Sequence, residues 1–212
     1  MAPLVGVGQE GTRVPTLMVS SRAVCHSGII YMWSALSFPE LIFTALEGAV
    51  DEAQAMETCC IEELEESAAT RFINGIRLAR VQNICMVVSA FGILEAEIQR
   101  VKGYGKPFSE LINEFRTGDN KDLADRIEIF VKAINTLKHG YGKSHDYLLR
   151  YREDLSFDVK ERFEDFFLEG DISEVPTLID ITSQFLNGFL ESMKEITRAI
   201  DDNGYVYDHP IN

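Results

Sequence analysis

The sequence predicts an all-α protein: a helical bundle of four main helices plus short helices, preceded by an irregular N-terminal arm. Three observations indicate this fold. The chain has 212 residues, of which 46% are apolar and 25% charged, values typical of one globular core. From Pro39 onward, apolar residues recur every three or four positions, which is the period of an amphipathic helix. Glycine pairs, Gly103 with Gly105 and Gly140 with Gly142, interrupt this period where helices are expected to end.

The N-terminal part of the chain changes character at residue 39. Residues 1–38 show no sustained period and contain several prolines and glycines, so they are predicted to form an arm or irregular cap. A helix then begins at Pro39, since proline is favoured in a first turn, and runs toward Cys59. Ser67 is the predicted N-cap of a long helix that ends at Lys102. The buried stripe of this long helix is predicted to comprise Ile84, Val87, Phe91, Leu94, Ile98 and Val101.

Two further helices are predicted before residue 140. A short helix begins at Pro107 and ends at Gly118. The next helix runs from about Lys121 to His139. Its core face is predicted to be formed by Ile127, Phe130, Ile134 and Leu137, which lie within about 80° of one another around the helix axis.

The segment that follows is predicted to be less regular. A further short helix is expected over residues 146–152. The region 154–173 then lacks a clear period. Within it, Phe163, Phe166 and Phe167 are expected to pack against the bundle because large aromatic side chains are usually buried.

A final helix is predicted to close the domain. It starts near Pro176 and runs to about Ile200, with apolar residues along one face. Residues 39–205 are therefore expected to form a single domain, followed by a tail at 206–212.

The charge of the chain restricts its partners. A net charge of −14 excludes a general nucleic-acid coat protein, whose affinity comes from neutralising phosphates. Residues 71–152, in contrast, carry more basic than acidic side chains, so an anionic ligand is expected there. The alternative is that the acidic flanking helices pair with the basic central ones inside one bundle.

Cofactor, metal and membrane sites are not predicted. The four cysteines lack a C-x-x-C spacing, and the four histidines lie at 26, 139, 145 and 209 without helical ligand spacing. The G-x-G-x-x-G pattern at residues 6–11 lacks the strand and helix that a dinucleotide site requires. No apolar run reaches the length of about 18 residues typical of a membrane span. We therefore expect a cytoplasmic protein with reduced thiols.

One polar face is the main candidate for function. On the predicted helix 121–139, five side chains share the side opposite the core face: Asp125, Glu128, Lys132, Asn135 and His139. The stripe contains groups that transfer protons and groups that bind phosphate. It is equally consistent with a solvated helix face in which His139 interacts with the helix dipole.

The order of these helices resembles the HEPN superfamily (higher eukaryotes and prokaryotes nucleotide-binding). The resemblance covers residues 67–200 and lies in the segments SAFGILEAEI, FSELINEF and DRIEIFVKAINTLKHGYG. The family signature is an arginine, four to six residues, and a histidine, often with asparagine directly after the arginine. His139 matches the histidine and Asn135 the asparagine, whereas Ile134 stands at the arginine position. Lys132 is the nearest cation at an allowed spacing.

The resemblance implies a small helical bundle, often a homodimer, and for many members a metal-independent RNase of a toxin–antitoxin or phage-defence system. It implies no cofactor. The expected partners are a second copy of the chain, RNA, and an antitoxin or other partner protein.

The resemblance also implies roles for individual residues. His139 would transfer the protons, Asn135 would be the signature asparagine of the catalytic site, and Lys132 would stabilise charge on the phosphorane. Lysine cannot form the bidentate contact of arginine with a phosphate, so weakened activity is expected. Lys138, Lys143 and Arg150 would widen the basic zone that binds RNA.

The alternative function is a non-catalytic helical module for protein–protein interaction. In that case the polar stripe forms a dimer or partner surface, and the acidic ends of the chain contact a basic protein. The acidic net charge and the missing arginine favour this alternative. The order of the helices favours the RNase.

Overall fold

A computed structural model describes residues 38–67, 69–166 and 172–201. These residues form six helices: α1 (Phe38–Glu66), α2 (Thr70–Lys102), α3 (Pro107–Thr117), α4 (Lys121–His139), α5 (Lys143–Arg150) and α6 (Ser183–Asp201), with a 3-10 turn at Arg152–Asp154. The predicted all-α bundle of four main helices plus short ones is thereby confirmed. The predicted arm, apart from Phe38, and the predicted tail lie outside the described residues.

Helices α1 and α2 form a long hairpin. Three residues, 67–69, connect them, so the two helices run antiparallel. The first helix extends beyond Cys59 to Glu66 because no helix breaker intervenes. The prediction of Ser67 as N-cap is wrong: its N–H donates to the Glu63 carbonyl at 2.9 Å, which places it at the end of α1. Ala69 occupies the N-cap position of α2 and supplies no capping side chain.

Helix α4 lies at the centre of the described bundle, in contact with α2, α3, α5 and α6. Most of the predicted stripes are confirmed, because Val87, Phe91, Leu94 and Ile98 of α2 and Ile127, Phe130 and Ile134 of α4 are buried in one core. The remaining members of the stripes, Ile84, Val101 and Leu137, are partly buried and pack against that core. Four aromatic rings of this core lie close together: Phe130, Phe157, Phe185 and Phe189. The Phe185 ring lies edge-on at 4.9 Å from Phe157 and 5.4 Å from Phe130, a favourable aromatic geometry.

The closing helix begins later than predicted. It starts at Ser183 instead of near Pro176, because the Thr182 hydroxyl accepts a hydrogen bond from the Phe185 N–H at 3.3 Å and caps the helix there. The preceding residues are extended and pair with residues 158–160. Val159 and Ile179 form an isolated antiparallel bridge, and both are fully buried.

The region after α4 also departs from two predictions. The short helix begins at Lys143 and ends at Arg150, whereas residues 146–152 were expected. Phe163 does not pack against the bundle: it lies in a surface turn and is 91% exposed. Phe157 and Val159 fill the core here instead. Phe166 is half-buried, and Phe167 lies outside the described residues.

Helix α2 is, among the described residues, the one helix long and apolar enough to cross a bilayer by length and composition alone. Its most apolar window has a mean hydropathy of 1.4, and 39% of that window is buried within the protein. The core helix of a soluble protein has the same properties. The expected absence of a membrane span and the cytoplasmic location stay predictions.

Candidate functional site

The candidate site lies where α4 ends and α5 begins. Gly140 and Gly142 have φ values of +72° and +153°, which L side chains rarely adopt. Gly140 ends α4, with its N–H donating to the Thr136 carbonyl at 2.8 Å. This turn allows α5 to pack back against α4. The polar face of α4 and the start of α5 thus belong to one surface.

A charge network occupies the middle of the predicted polar stripe. The Arg116 guanidinium of α3 donates hydrogen bonds to Asp125, at 3.0 Å, and to Glu128. Glu128 also pairs with the Lys132 ammonium at 3.8 Å. Hydrogen bonds to Glu128 and Asp125 raise the pKa of Arg116, which therefore remains charged. Two cations and two carboxylates balance, so this network has little attraction for phosphate.

Tyr147 of α5 lies next to this charge network. The Lys132 ammonium lies 5.2 Å from the centre of the Tyr147 ring, and Arg150 lies 6.0 Å from it. Burial raises the pKa of the Tyr147 hydroxyl, and the nearby Glu128 carboxylate raises it further. The hydroxyl therefore remains protonated and uncharged at neutral pH. The structure thus brings Lys132 and Arg150 together, although neither is an isolated cation.

His139 and Asn135 have a different environment. Asn135 is half-buried and His139 is exposed in the last turn of α4. Among the described residues, neither side chain has a hydrogen bond or ion pair. His139 lies seven positions after Lys132, which is about 10 Å along the helix axis. In a single chain, His139 and Lys132 are therefore separated along α4, on a surface that is open to solvent.

The described cavities do not include this surface. A cavity of about 540 Å³ opens at the opposite end of α4, where it is lined by residues 118–123, Arg126 and Glu195. A second, of about 290 Å³, lies between α1 and α6. His139 lines neither of these cavities.

Three basic residues surround the turn between α4 and α5. Lys138 and Lys143 are exposed, and within the described ranges neither ammonium group pairs with a carboxylate. Arg150 is exposed as well, and its Nε donates to the Asp146 carbonyl at 3.2 Å. We call Lys138, His139 and Lys143 the basic turn; Arg150, at the end of α5, is not part of it. The basic turn carries positive charge that no carboxylate of the described chain offsets directly.

Sequence reasoning missed several residues of this region. His145 is buried, and its Nε2 lies 2.9 Å from the Lys160 carbonyl, which ties α5 to the extended segment. Its position three residues before the buried Leu148 is the signal that marks an inward-facing side chain. No local pattern pointed to Arg116 or Tyr147, because their roles depend on contacts between helices.

Comparisons with known proteins do not identify a relative. No family model matches the chain, and neither the curated proteins nor the solved structures include a significant match. Within the described residues, no group of three or more histidine, cysteine, aspartate or glutamate side chains is placed to hold a metal ion.

Proposed function

We propose that this protein is a HEPN-like, RNA-binding protein with a slow metal-independent endoribonuclease activity centred on His139. The observation that supports it best is the basic turn. An exposed imidazole without a partner lies there between two lysines that have no carboxylate partner among the described residues. A nucleic-acid backbone is attracted to such local positive charge even when the whole chain is acidic.

The proposed chemistry requires proton transfer and charge stabilisation. The 2′-hydroxyl must lose a proton, the leaving oxygen must gain one, and the phosphorane carries developing negative charge. His139 serves the proton transfers, and Asn135, one turn earlier, donates a hydrogen bond to the phosphate. Lys132 is the nearest cation at the spacing of the family signature, but Glu128 offsets its charge. Slow cleavage follows, because transition-state charge is poorly stabilised.

A homodimer would place two basic turns in one assembly. The outward side of α2 is the proposed contact, since Leu78, Val81 and Ile93 there are between 41% and 53% exposed. Arg77 and Glu95 have no ion-pair partner among the described residues. If two copies of α2 run antiparallel about a twofold axis near Met86, Arg77 of each copy faces Glu95 of the other. The proposed occupant of this face is therefore a second copy of the chain.

We expect the purified protein to have twice the 23.9 kDa mass of one chain by light scattering. Changing both Leu78 and Val81 to aspartate should dissociate this dimer, because charges would be buried within the contact. Leu41→Asp is the matched control, since Leu41 is 50% exposed on α1, outside the proposed contact. A monomeric wild-type protein would contradict the proposal.

The cellular setting is proposed from the resemblance to HEPN proteins. A prokaryotic toxin–antitoxin or phage-defence system in the cytoplasm is the setting in which such an RNase acts. An antitoxin or other partner protein would then control its activity.

RNA binding tests the role of the basic turn directly. Replacing Lys138 and Lys143 together with glutamate should weaken binding of a single-stranded RNA by roughly tenfold or more and reduce the salt dependence of its dissociation constant. Fluorescence anisotropy at several salt concentrations measures both effects. Lys121→Glu is the control, because Lys121 is exposed at the opposite end of α4. Equal losses in both proteins would contradict a localised RNA site.

The second candidate function is a non-catalytic interaction module. The contact between Glu128 and Lys132 favours it, since it neutralises the cation that cleavage requires. This alternative also predicts an oligomer or a partner complex, formed through the polar stripe of α4, but it predicts neither RNA binding nor cleavage. The RNA measurements therefore separate the two functions.

A further inference from the structure

We propose that Tyr141, Arg162 and Phe163 form a stacking platform for an unpaired base of the bound RNA, an inference that rests on the proposed RNA-binding function. These three residues, the aromatic platform, lie next to the basic turn in sequence and structure. Tyr141 is two residues from His139, and Arg162 links it to Phe163.

The first observation is the conformation of Phe163. Its φ of +71° is the one positive value of a non-glycine residue in the described ranges. A bulky side chain in this left-handed region is strained, and glycine would adopt it without cost. Phe163 is also 91% exposed, so burial of its ring does not compensate for the strain. Strained residues of this kind concentrate at binding and catalytic sites.

The second observation is the arrangement of planar groups around Arg162. Its guanidinium carbon lies 5.2 Å from the centre of the Phe163 ring and 5.5 Å from that of Tyr141. These distances are within the range of cation–π contacts. The Arg162 guanidinium has no carboxylate partner among the described residues. Two rings and one guanidinium therefore present π surfaces on the same part of the protein.

A contact with a buried residue fixes the position of the Tyr141 ring. Its ring packs edge-on against the buried His145, with 5.3 Å between the ring centres. His145 is itself fixed by its 2.9 Å contact with the Lys160 carbonyl. Tyr141 nevertheless remains 53% exposed, so it combines a fixed position with an accessible surface. A ring that is ordered before binding loses little conformational entropy when a base stacks on it.

The chemistry of these groups favours a nucleic-acid base over a protein partner. Among the described residues near the rings in sequence, Glu161, Asp165 and Lys143 are exposed and charged. A protein partner that covered the rings would have to remove water from these charged side chains, which is costly unless it pairs with them. A base requires only a π surface, and the carboxylates of Glu161 and Asp165 disfavour phosphate on the platform itself. The backbone of the strand would instead follow Lys138 and Lys143.

Single-stranded RNA is the ligand class that matches this arrangement. Bases in a duplex are already stacked on one another, whereas unpaired bases are available for aromatic rings and arginine. Stacking depends weakly on base identity, so the platform is expected to bind without strong sequence preference.

The experiment compares Phe163→Leu with the wild-type protein. We expect about tenfold weaker binding of a fluorescein-labelled 12-nucleotide oligouridine, a typical loss for one stacked base. Binding of a 12-base-pair RNA duplex should not change. Phe163→Trp should retain oligouridine binding, because it keeps an aromatic ring at the same position. Ile172→Ala is the control, since Ile172 is 61% exposed and outside the platform.

A second variant separates stacking from stability. Phe163→Gly removes the ring and the strain together, so it should raise the melting temperature while weakening oligouridine binding. If the wild-type protein binds oligouridine and Phe163→Leu binds it equally well, the platform is refuted and the proposed function stands. If the wild-type protein binds no RNA, the proposed function itself fails. If Phe163→Leu instead alters the oligomeric mass, the ring forms a protein contact and the platform is refuted.

Discussion

Replacing His139 with alanine is expected to reduce RNA cleavage at least ~100-fold, because general acid–base catalysis by one side chain typically contributes about 10² to 10⁴ in rate. His139 is exposed and has no partner among the described residues, so the fold should not change. The measurement is the initial rate of cleavage of a fluorogenic RNA in the presence of a chelator. Circular dichroism of the same sample checks the fold.

His145→Ala is the matched control for this experiment. It is the same substitution six residues later, but His145 is buried and bonded to the Lys160 carbonyl. Leaving that carbonyl unpaired should cost about 1–3 kcal/mol of stability. At low temperature and saturating RNA, cleavage by the folded protein should nevertheless remain close to that of the wild type, since His145 does not contact the reacting groups.

Comparing the two variants therefore distinguishes a loss of cleavage rate from a loss of folding stability. Wild-type cleavage by His139→Ala would contradict the role of this imidazole. Absence of cleavage in the wild-type protein, with RNA binding retained, would leave an RNA-binding protein without the proposed activity.

The largest loss of stability is expected for Phe185→Ala. Phe185 is fully buried and contacts the rings of Phe130, Phe157 and Phe189. Removing it leaves a cavity where α4, α6 and the extended segment meet. Truncation of a buried phenylalanine typically costs about 3–5 kcal/mol. Urea denaturation followed by circular dichroism measures the change in the free energy of unfolding.

Phe38→Ala is the appropriate comparison, because Phe38 is 48% exposed at the start of α1. Its truncation should cost about 1 kcal/mol or less. Equal losses for the two variants would show that the ring cluster is not the centre of the core.

The candidate site is predictable where it depends on a single helix. The faces of α4 follow from the helical period, so the amino-acid order alone puts Lys132, Asn135 and His139 on the side opposite the core. It does not reveal the charge network around Lys132. Glu128 pairs with both Lys132 and Arg116, and Arg116 lies on a different helix, α3. The amino-acid order predicts that Phe163 packs against the bundle, because large aromatic side chains are usually buried, and that prediction is wrong.

The sequence by itself determined that the chain from residue 39 onward is mainly helical and which faces of α2 and α4 are buried. Apolar periodicity and the glycines at 103, 140 and 142 are local signals, so they can be read without knowing what packs against them. Two contacts are decided only by the tertiary structure. Residues 158–160 pair with residues 178–180, and Arg116 of α3 contacts the polar face of α4. The physical reason is that these contacts join segments distant in the chain, and their free energy depends on distances and burial that no local pattern specifies.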